Sequence, residues 1–421
     1  MTVDRHLRFD ALHNFRDLGG YPTRDGLRVR PGLLYRADSL GKLTPGTTDW
    51  DRFRALGIRT VIDLRHPWEA ERRGRIPHDA SFTYHNLSIE HRPYDQAAQT
   101  ADVEPGPYLS ERFMEVAQDG TKEIAAALTL IAEEHDGGLV FHCASGKDRT
   151  GQLAALVLAL LGVPDEVIIE DFSLTELATG ALLADWRARN GGRSPGWPSF
   201  ARAPESVMRL FLAAMRARYG SIESYVTHTL GLDAAALATA LRARLLEPAP
   251  TTWPDLTYRR ATPEDAPLLV RLRDTAALWQ LARGIRQWQP GEKDETHFRT
   301  RMRDGEVWTA HAGDTLAGAW ELWWDDPAAW GPRPPEAGYI HRLMTTPHTA
   351  PPGTGRRMLA EAESRITATG RPYARLDCLT SNPRLRAYYE SAGYTAVGEQ
   401  RQKTDGTGSP YAVTLLEKRL G

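Results

Sequence analysis

The sequence predicts an α/β protein made of two domains, and three observations lead to that prediction. Short apolar runs bounded by loops recur in both halves of the chain, as buried strands do in a sequence. Helical stretches alternate with these runs, which is typical of sheets flanked by helices. A proline-rich segment near residue 250 interrupts the pattern, and a chain of 421 residues exceeds the usual size of one domain.

The first half contains two apolar runs that predict buried parallel strands, at residues 60–64 (Thr-Val-Ile-Asp-Leu) and 139–143 (Leu-Val-Phe-His-Cys). Between them, the stretch from Glu123 to Glu134 predicts an amphipathic helix. The stretch from Thr150 to Leu161 predicts a very apolar helix that ends at Gly162, a residue suited to a C-terminal cap. We therefore expect a parallel sheet flanked by helices in this half.

The two domains are separated where the helical pattern of the first half ends. The Ala-rich stretch from Asp233 to Leu246 leads into Glu-Pro-Ala-Pro-Thr-Thr-Trp-Pro254, in which prolines stop the helix and stiffen the chain. A new strand and a Thr-capped helix follow from Leu256. We predict a first domain over residues 1–246, a linker over 247–255 and a second domain over 256–421.

Bulk composition narrows the classes of function. The formal net charge is −2, so no global field attracts nucleic acid or a membrane surface. No window is apolar over the length that a membrane span needs, and the N-terminus lacks the apolar core of a signal peptide. The two cysteines fit no disulfide framework, and the histidines show no metal-ligand spacing. We expect a cytoplasmic protein without nucleic-acid partners, integral membrane segments or a metal site.

The segment from His142 to Gly151 (His-Cys-Ala-Ser-Gly-Lys-Asp-Arg-Thr-Gly) combines the features of a phosphate site. A buried strand ends at Cys143, a five-residue turn follows, and a helix begins near Arg149. The amides of such a turn and the helix N-terminus favour an anion, and the Arg149 guanidinium matches two phosphate oxygens. The candidate phosphate-binding residues are Ala144, Ser145, Gly146, Lys147, Asp148 and Arg149.

The same positive surroundings favour the thiolate of Cys143, which is then a nucleophile. Gly146 permits the tight turn, Gly151 permits close packing beneath it, and Thr150 is placed to hydrogen-bond the sulfur. A buried core cysteine is the alternative, since free cysteines are commonly buried. The position between a strand and a helix, with Arg149 six residues on, favours the catalytic interpretation.

This loop resembles that of the bacterial dual-specificity protein-tyrosine and lipid phosphatases. Further motifs extend the resemblance, in the same order, over about residues 5–246. They are Asn14-Phe-Arg-Asp-Leu-Gly-Gly-Tyr21, Leu34-Tyr-Arg-Ala-Asp38, Val61-Ile-Asp-Leu-Arg65 with Glu69, and Ile168-Ile-Glu-Asp-Phe-Ser-Leu-Thr175. The resemblance implies a tyrosine-phosphatase-like parallel sheet flanked by helices.

The resemblance also implies a two-step reaction in which Cys143 attacks phosphorus in line and water then hydrolyses the phosphocysteine. The leaving oxygen needs a proton from a general acid. Asp63, at the end of its strand, is the first candidate, because an acid should stand across the pocket from the nucleophile. Asp148, within the loop, is the second candidate, and its alternative role is to orient the loop. Asp63 is alternatively a structural partner of Arg65 or Arg16.

The resemblance implies that Lys147 goes with activity on phosphoinositides as well as phosphotyrosine proteins. The alternative for Lys147 is a solvated surface lysine. No cofactor is expected for the phosphatase half, because the loop and Arg149 supply the electrostatics that a metal otherwise would.

The second half contains an apolar strand from Ala337 to Met344, the turn Gly353-Thr-Gly355 and a helix from Arg356 to Thr367. Amides at a helix N-terminus after a Gly-rich turn can bind a pyrophosphate. A strand from Ala374 to Cys378 and the segment from Asn382 to Tyr394 follow. With the opening Tyr258-Arg-Arg-Ala-Thr-Pro-Glu-Asp, this order resembles the GNAT acetyltransferase superfamily from about Thr257 to Leu420.

This second resemblance implies a GNAT-like α+β domain that binds acetyl-CoA where its fourth and fifth strands splay apart and transfers the acetyl group to an amine acceptor. Tyr389, seven residues after Asn382, takes the place of the tyrosine that protonates the leaving thiolate. The implied cofactor-binding residues are Met344, Gly353, Thr354, Gly355, Arg356 and Asn382.

Two departures from the superfamily pattern bear on cofactor binding. Ala350 stands where an Arg or Gln is usual, and Pro351 and Pro352 each remove one backbone donor. A degenerate, regulatory or structural acetyltransferase fold is therefore the alternative for this half.

The sequence as a whole predicts cysteine-dependent phosphomonoester hydrolysis fused to acetyl-CoA-dependent N-acetyl transfer. The expected partners are a phosphorylated protein or phosphoinositide, acetyl-CoA and an amine acceptor. The alternative is mainly an acetyltransferase whose phosphatase-like half binds a phosphorylated ligand.

Overall fold

The computed structural model describes residues 5–133, 137–403 and 411–421. Residues 1–4 of the predicted first domain, Glu134 of the predicted helix, and residues 404–410 of the predicted second domain lie outside the described residues. The chain forms two compact units. The first comprises residues 5–251 with 281–283, and the second comprises 252–280 with 284–421.

The first unit contains seven strands and ten α-helices among its described residues. The strands are β1 (Arg16–Asp17), β2 (Leu27–Val29), β3 (Leu34–Ala37), β4 (Ile58–Asp63), β5 (Thr83–Asn86), β6 (Gly138–His142) and β7 (Leu246–Pro248). The helices are α1 (Thr48–Ala55), α2 (Pro67–Arg73), α3 (Pro105–Asp119), α4 (Thr121–Glu133), α5 (Asp148–Leu160), α6 (Asp165–Ser173), α7 (Thr179–Arg189), α8 (Glu205–Tyr219), α9 (Ile222–His228) and α10 (Ala234–Leu245).

The main sheet of this unit has five strands in the order β1-β3-β6-β4-β5. Strands β3, β6, β4 and β5 pair in parallel, and β1 joins β3 antiparallel at one edge. The register places Ala37 beside His142 and His142 beside Asp63. Because parallel strands end at the same edge of a sheet, the loops after β3, β4 and β6 meet there.

The helix that follows β6 is the most buried in the unit. Every residue of α5 from Arg149 to Leu160 except Ala159 is buried. A Cβ atom at Gly151 would lie 2.8 Å from the ring of Phe172 on α6, so only glycine permits this approach of the two helices. The apolar core on the side of α5 also includes residues of α3, α4, α8 and α10.

The second unit contains seven strands and five α-helices among its described residues. The strands are β8 (Leu256–Arg260), β9 (Glu306–Ala312), β10 (Thr315–Trp323), β11 (Ala337–Thr345), β12 (Tyr373–Leu379), β13 (Thr395–Lys403) and β14 (Tyr411–Arg419). The helices are α11 (Ala266–Ala282), α12 (Glu295–Asp304), α13 (Pro327–Trp330), α14 (Thr354–Ala368) and α15 (Pro383–Glu390).

These seven strands form one mixed sheet in the order β13-β14-β12-β11-β10-β9-β8. The pair β11–β12 is parallel, and every other neighbouring pair is antiparallel. Strands β11 and β12 pair only from Ala337 to Tyr339 against Tyr373 to Arg375 and then separate. The gap opens toward the carboxyl ends of both strands.

The predicted fold class is confirmed: an α/β unit with a parallel sheet flanked by helices precedes a unit with a mixed α+β sheet. Predicted strand 60–64 corresponds to β4 and predicted strand 139–143 to β6, each displaced by one or two residues. The predicted helices 123–134 and 150–161 correspond to α4 and α5, both of which begin two residues earlier. Helix termini are set by capping contacts that periodicity does not locate to the residue.

None of the helices within residues 5–133, 137–403 and 411–421 has the length and apolar character that crossing a membrane demands.

Gly146 offers a test of how tightly the loop after β6 is held against β3. Its φ is +67°, and an added Cβ would lie 2.6 Å from the carbonyl carbon and oxygen of Ala37. Gly26 has a φ of +85° but nothing within 4 Å of the same atom. We expect Gly26→Ala to cost about 1 kcal/mol of unfolding free energy, from left-handed strain alone. Gly146→Ala should cost clearly more, as measured by chemical denaturation; equal costs would contradict a close approach.

Candidate active site

The loop after β6 runs from Cys143 to Lys147, and α5 begins at Asp148. The peptide carbonyls of residues 144–147 are bound by other parts of the unit. Within this loop, Ala144 O accepts from Ser39 N (3.2 Å), Ser145 O from Asn14 Nδ2 (2.9 Å), Gly146 O from Arg36 Nη2 (2.7 Å) and Lys147 O from Gly151 N (2.7 Å). Because the N–H and C=O of a trans peptide point in opposite directions, the amides of the loop face the other way. The result is a row of donors suited to an anion.

The loop anchors depend on a buried ion triad made by Asp171, Arg16 and Arg36. Arg16 and Arg36 lie directly opposite each other on β1 and β3, and the side chains of all three residues are at most 1 % exposed. Asp171, on α6, binds the guanidinium groups of both arginines and also accepts a hydrogen bond from Tyr21. Burial raises the pKa of Asp171, but the two arginines outweigh it and lower the pKa to about 2.

Arg149, at the first turn of α5, is held by two carboxylates. Both of its terminal nitrogens donate to Glu69, at the start of α2, and its Nε lies 3.8 Å from Glu90 Oε2. Burial lowers the pKa of Arg149, but the charges of Cys143 and Glu69 raise it above its usual value. Burial likewise raises the pKa of Glu69, and Arg149 lowers it to a net value below normal. The guanidinium is therefore charged and oriented before any ligand binds.

Glu90 differs from Glu69 in the direction in which its pKa is shifted. It is 7 % exposed, and its Oε1 lies 3.2 Å from Nε2 of His66. Burial raises the pKa of Glu90 more than Arg149 and His66 lower it. Two neighbouring carboxyl groups whose pKa values are driven apart thus flank the same arginine, a pattern typical of active sites.

Lys147 and Asp148 are linked through one amide side chain. Lys147 is 1 % exposed, and its Nζ donates to Gln96 Oε1 at 2.9 Å. The amide nitrogen of Gln96 donates to Asp148 Oδ2 at 3.0 Å. Lys147 is therefore no solvated surface lysine, and its ammonium lies within the loop site. Asp148 Oδ1 accepts no hydrogen bond of normal geometry from the residues that the structure describes, but Lys147 Nζ lies 3.4 Å from it in an ion pair.

Asp63, the first candidate for the general acid, lies in a structural ion pair. Its carboxylate is fully buried, binds Arg65 through both oxygens and accepts a hydrogen bond from Tyr84 at 2.9 Å. Burial raises the pKa of Asp63, but His142 and Arg65 lower it to about 2. A carboxyl group with this pKa holds no proton at neutral pH, so the geometry favours the alternative stated for Asp63, a partner of Arg65.

Thr150 lies beside the loop that follows β6. Cys143 is 2 % exposed, and Thr150 is fully buried two residues into α5. Within the described parts of the chain, Thr150 Oγ1 has no hydrogen-bond partner. A buried hydroxyl without a partner is costly unless a ligand or a charged sulfur uses it.

Three residues of this site, Glu90, Gln96 and Asp171, were not predicted from the sequence. Glu90 and Gln96 follow β5 in a loop without any recognisable motif, and their roles depend on contacts across more than 50 residues of chain. Asp171 lies inside the quoted segment 168–175, but the charge pattern alone does not show that it joins two arginines. The available signal was two adjacent acidic residues, Glu170 and Asp171, placed between the apolar residues 167–169 and Phe172.

A second candidate site is a cavity of about 1220 Å³ in the second unit, beside the gap between β11 and β12. The predicted residues that line it are Met344, Gly353, Thr354, Gly355, Arg356 and Tyr389. Gly353, with φ of +77°, caps α14, so the first amides of that helix face this cavity. Asn382 is placed differently: its Oδ1 caps α15 by accepting from Leu385 N at 3.1 Å.

The same cavity contains a cluster of titratable groups that sequence spacing did not predict. One carboxylate oxygen each of Asp326 and Asp377 and one ring nitrogen of His341 all lie within 4.8 Å of one another. Asp326 precedes α13, His341 lies in β11 and Asp377 lies in β12, so the three residues share no local motif.

Two family models match the chain. The model of the tyrosine phosphatase family matches residues 7–247, and the model of the acetyltransferase (GNAT) family matches residues 273–394. The first match covers more than half of the chain and includes the whole loop site. The second includes the cavity residues from Arg273 to Tyr389.

Three curated proteins illustrate these similarities. A protein of Cupriavidus necator named as a tyrosine-protein phosphatase is 30 % identical over 55 % of this chain and 87 % of its own length. The triple specificity protein phosphatase PtpB of Mycobacterium tuberculosis is 28 % identical over 38 % of this chain and 65 % of its own length. The N-acetyltransferase YesJ of Bacillus subtilis is 31 % identical over 32 % of this chain and 79 % of its own length.

The fold of the first unit and its Cys-to-Arg loop define a phosphatase of the cysteine-loop class. The chain belongs to the tyrosine phosphatase family and carries a GNAT acetyltransferase domain in its second half.

The ion triad yields a stability prediction. Asp171→Asn leaves two buried guanidinium groups without a countercharge, and we expect a loss of about 3–5 kcal/mol in unfolding free energy. Because the pKa of Asp171 is lowered to about 2, this contribution is present above about pH 4 and is lost as the pH falls toward 2.

Asp165, on the same helix, provides the matched control. Its side chain is 26 % exposed and pairs with Arg216 and Arg24 at the surface. We expect Asp165→Asn to cost about 1 kcal/mol or less in the same denaturation experiment. Similar losses for both variants would show that the triad does not support the loop.

Proposed function

We propose that the first unit hydrolyses phosphomonoesters through a phosphocysteine intermediate at Cys143. The observation that carries this proposal is the loop itself: its carbonyls are bound by Ser39, Asn14, Arg36 and the first turn of α5, so its amides are fixed toward an anion. Such preorganised donors stabilise charge that develops in a transition state without reorganising first.

In the first step, the loop amides and Arg149 hold the phosphoryl oxygens while the sulfur of Cys143 attacks phosphorus. A P–S bond forms, and the bond from phosphorus to the leaving oxygen breaks in line. Glu69 remains hydrogen-bonded to Arg149 and orients it, so the guanidinium is already positioned when the substrate binds. The leaving oxygen must take up a proton as the bond breaks.

We assign that proton to Asp148 instead of Asp63. Asp63 is ionised and fully buried in its pair with Arg65, whereas Asp148 is part-exposed at the loop that holds the phosphate. One oxygen of Asp148 accepts from Gln96, and the other lies 3.4 Å from Lys147 Nζ. From its place in the loop, the carboxyl group of Asp148 can give a proton to the leaving oxygen of a bound phosphoryl group. The same group can then accept a proton from the attacking water in the second step.

In the second step, water attacks phosphorus, the P–S bond breaks, and Cys143 leaves as a thiolate. The buried hydroxyl of Thr150 can donate to that sulfur, which lowers the cost of its negative charge. This assignment accounts for the absence of another partner for Thr150 Oγ1 among the described residues.

Lys147 supports a substrate class that includes both phosphotyrosine proteins and phosphoinositides. Its buried ammonium is held by Gln96 within the loop site, so it adds a second positive charge to that of Arg149. A site with two fixed cations suits a substrate that carries more than one phosphate, such as a polyphosphorylated inositol ring. The similarity to a relative named as a triple specificity phosphatase is in line with a broad substrate class.

The test is phosphate release by the full chain in the presence of EDTA, beside Cys143→Ser, on a phosphotyrosine peptide, phosphoserine peptide and phosphoinositide vesicles. We expect Cys143→Ser to abolish release. Asp148→Asn should lower kcat on these substrates by about 10²-fold or more, because their leaving oxygens need a proton. Its effect on p-nitrophenyl phosphate should be much smaller, since that leaving group departs without one.

Asp63→Asn is the comparison variant for the acid. It removes one partner of Arg65, so we expect lower stability and the same proportional effect on every leaving group. A loss selective for poor leaving groups in Asp63→Asn, and not in Asp148→Asn, would reverse the assignment. Full release by Cys143→Ser would contradict the phosphocysteine route.

We propose that the second unit binds acetyl-CoA and acetylates an amine. The supporting observations are the separation of β11 from β12 and the amides of Gly355 and Arg356, which line the adjoining cavity at the start of α14. A helix N-terminus at this position suits a pyrophosphate. Burial raises the pKa of Tyr389 well above normal, so its phenol keeps a proton for the departing thiolate.

Cofactor binding can be tested at the position where the sequence departs from the superfamily. Ala350 lines the cavity, and Ala350→Arg adds a guanidinium beside the expected pyrophosphate. We expect the full chain to bind acetyl-CoA in isothermal titration, and the variant to bind about tenfold more tightly, which corresponds to about 1.4 kcal/mol. No heat of binding with either protein would exclude this cavity as the acetyl-CoA site.

A further inference from the structure

The gap between β11 and β12 brings two titratable residues face to face. The last paired residues are Tyr339 and Arg375, and His341 and Asp377 each follow two positions later. Alternation along a strand therefore places both side chains on the same face as those paired residues, at the point where the strands separate. Asp326, which follows β10, completes the cluster.

The two carboxylate oxygens of Asp326 differ in their hydrogen bonding. Its Oδ1 accepts from Ala329 N at 3.2 Å, and its Oδ2 lies 3.4 Å from Nε2 of His341. The side chain is nine-tenths buried, and Oδ2 accepts no hydrogen bond of normal geometry from the residues that the structure describes. A buried carboxylate oxygen without a donor is costly, which indicates that a proton or ligand arrives there during function.

We propose that His341, oriented by Asp326, removes the proton from the acceptor ammonium in the second unit. This inference rests on the proposed acetyl transfer and adds the base and its partner to it. His341, Asp326 and Tyr389 all line the cavity that also contains the start of α14. The base and the proton donor for the thiolate thus share one cavity.

The charges of the cluster favour this role over a divalent metal. Lys403 donates to Asp377 at 2.6 Å, so one of the two carboxylates already has a cationic partner. The remaining negative charge is that of the Asp326 carboxylate, and one of its two oxygens caps α13. A divalent ion usually requires more free carboxylate or imidazole ligands than this cluster offers. One carboxylate beside one imidazole is instead the arrangement that stabilises an imidazolium.

His341 is surrounded by charged groups from every neighbouring strand. Burial lowers its pKa; Asp326, Asp377 and, across the β10–β11 pair, Glu321 raise it, and Lys403 lowers it further, leaving the net pKa below normal. The imidazole is therefore neutral at neutral pH and available to accept a proton. The rate should fall only when the pH drops below the usual histidine value of about 6.5.

The proposed step conserves atoms and charge. His341 takes one proton from R–NH₃⁺, and the lone pair of R–NH₂ forms a C–N bond at the thioester carbonyl carbon. As the tetrahedral intermediate collapses, the C–S bond breaks and its electron pair leaves on sulfur. Tyr389 gives its phenolic proton to that thiolate and regains a proton from the nitrogen of the intermediate. His341 then releases its proton to solvent. The net products are an amide, free CoA and one proton.

The experiment uses the full chain, with acetyl-CoA binding by isothermal titration and thiol release with spermidine, tyramine and a lysine-containing peptide as probe amines. The variants are His341→Gln and Asp326→Asn, and His311→Gln on β9, outside the cavity lining, is the control. We expect unchanged acetyl-CoA affinity in all proteins, with kcat/KM lowered by about 10²-fold or more in His341→Gln. Asp326→Asn should move the acid limb of the pH profile to lower pH, because the imidazolium loses its countercharge.

Each outcome decides between the interpretations. A His341→Gln variant that acetylates as fast as the control would overturn the role of His341 and leave acetyl transfer intact. Failure to bind acetyl-CoA would refute the proposed acetyltransferase function, whereas binding without transfer to any probe amine by the unaltered chain would overturn the assignment of a base. Stoichiometric Zn²⁺ or Mn²⁺ binding that His341→Gln removes, together with metal-dependent turnover, would replace the base by a metal site.

Discussion

The carboxylate of Asp171 is the interaction on which the phosphatase site depends. Arg16 and Arg36 stand opposite each other on paired strands, where two buried like charges would otherwise repel. Asp171 neutralises part of that charge and fixes Arg36, whose other nitrogen holds the carbonyl of Gly146. The anion site is therefore oriented by an ion triad on its far side, and this connects three segments that lie far apart in the sequence.

The fold and the loop could be predicted from the sequence because their determinants are local. A strand, a turn containing glycine and a helix that begins near Arg149 appear within ten residues, and apolar runs mark the neighbouring strands. The general acid could not be chosen, because Asp63 and Asp148 differ only in their distant partners. Pairing with Arg65, Tyr84 and His142 is what makes Asp63 a permanent anion, and only the three-dimensional structure shows it.

The second unit shows the same limit in a different way. Its Gly-rich turn and its strands at residues 337–344 and 374–378 could be predicted from local pattern, whereas the cluster of Asp326, His341 and Asp377 arises from three separate elements. A single histidine in an apolar strand gives no signal of its own, since most such residues are satisfied within the core. The separation of β11 from β12 turns one of them toward a cavity, and backbone pairing of that kind cannot be inferred from composition.

The carboxylates that surround Arg149 have a consequence for product release. Glu69 already occupies both terminal nitrogens of the guanidinium, and Glu90 lies beside Nε. A guanidinium has five N–H donors, so three remain for an anion while Glu69 stays in place. An anion bound there lies close to the charged carboxylate of Glu69, which repels it. Free orthophosphate meets this repulsion without the further contacts that the organic part of a substrate makes, so the carboxylate that orients Arg149 also favours release of the product.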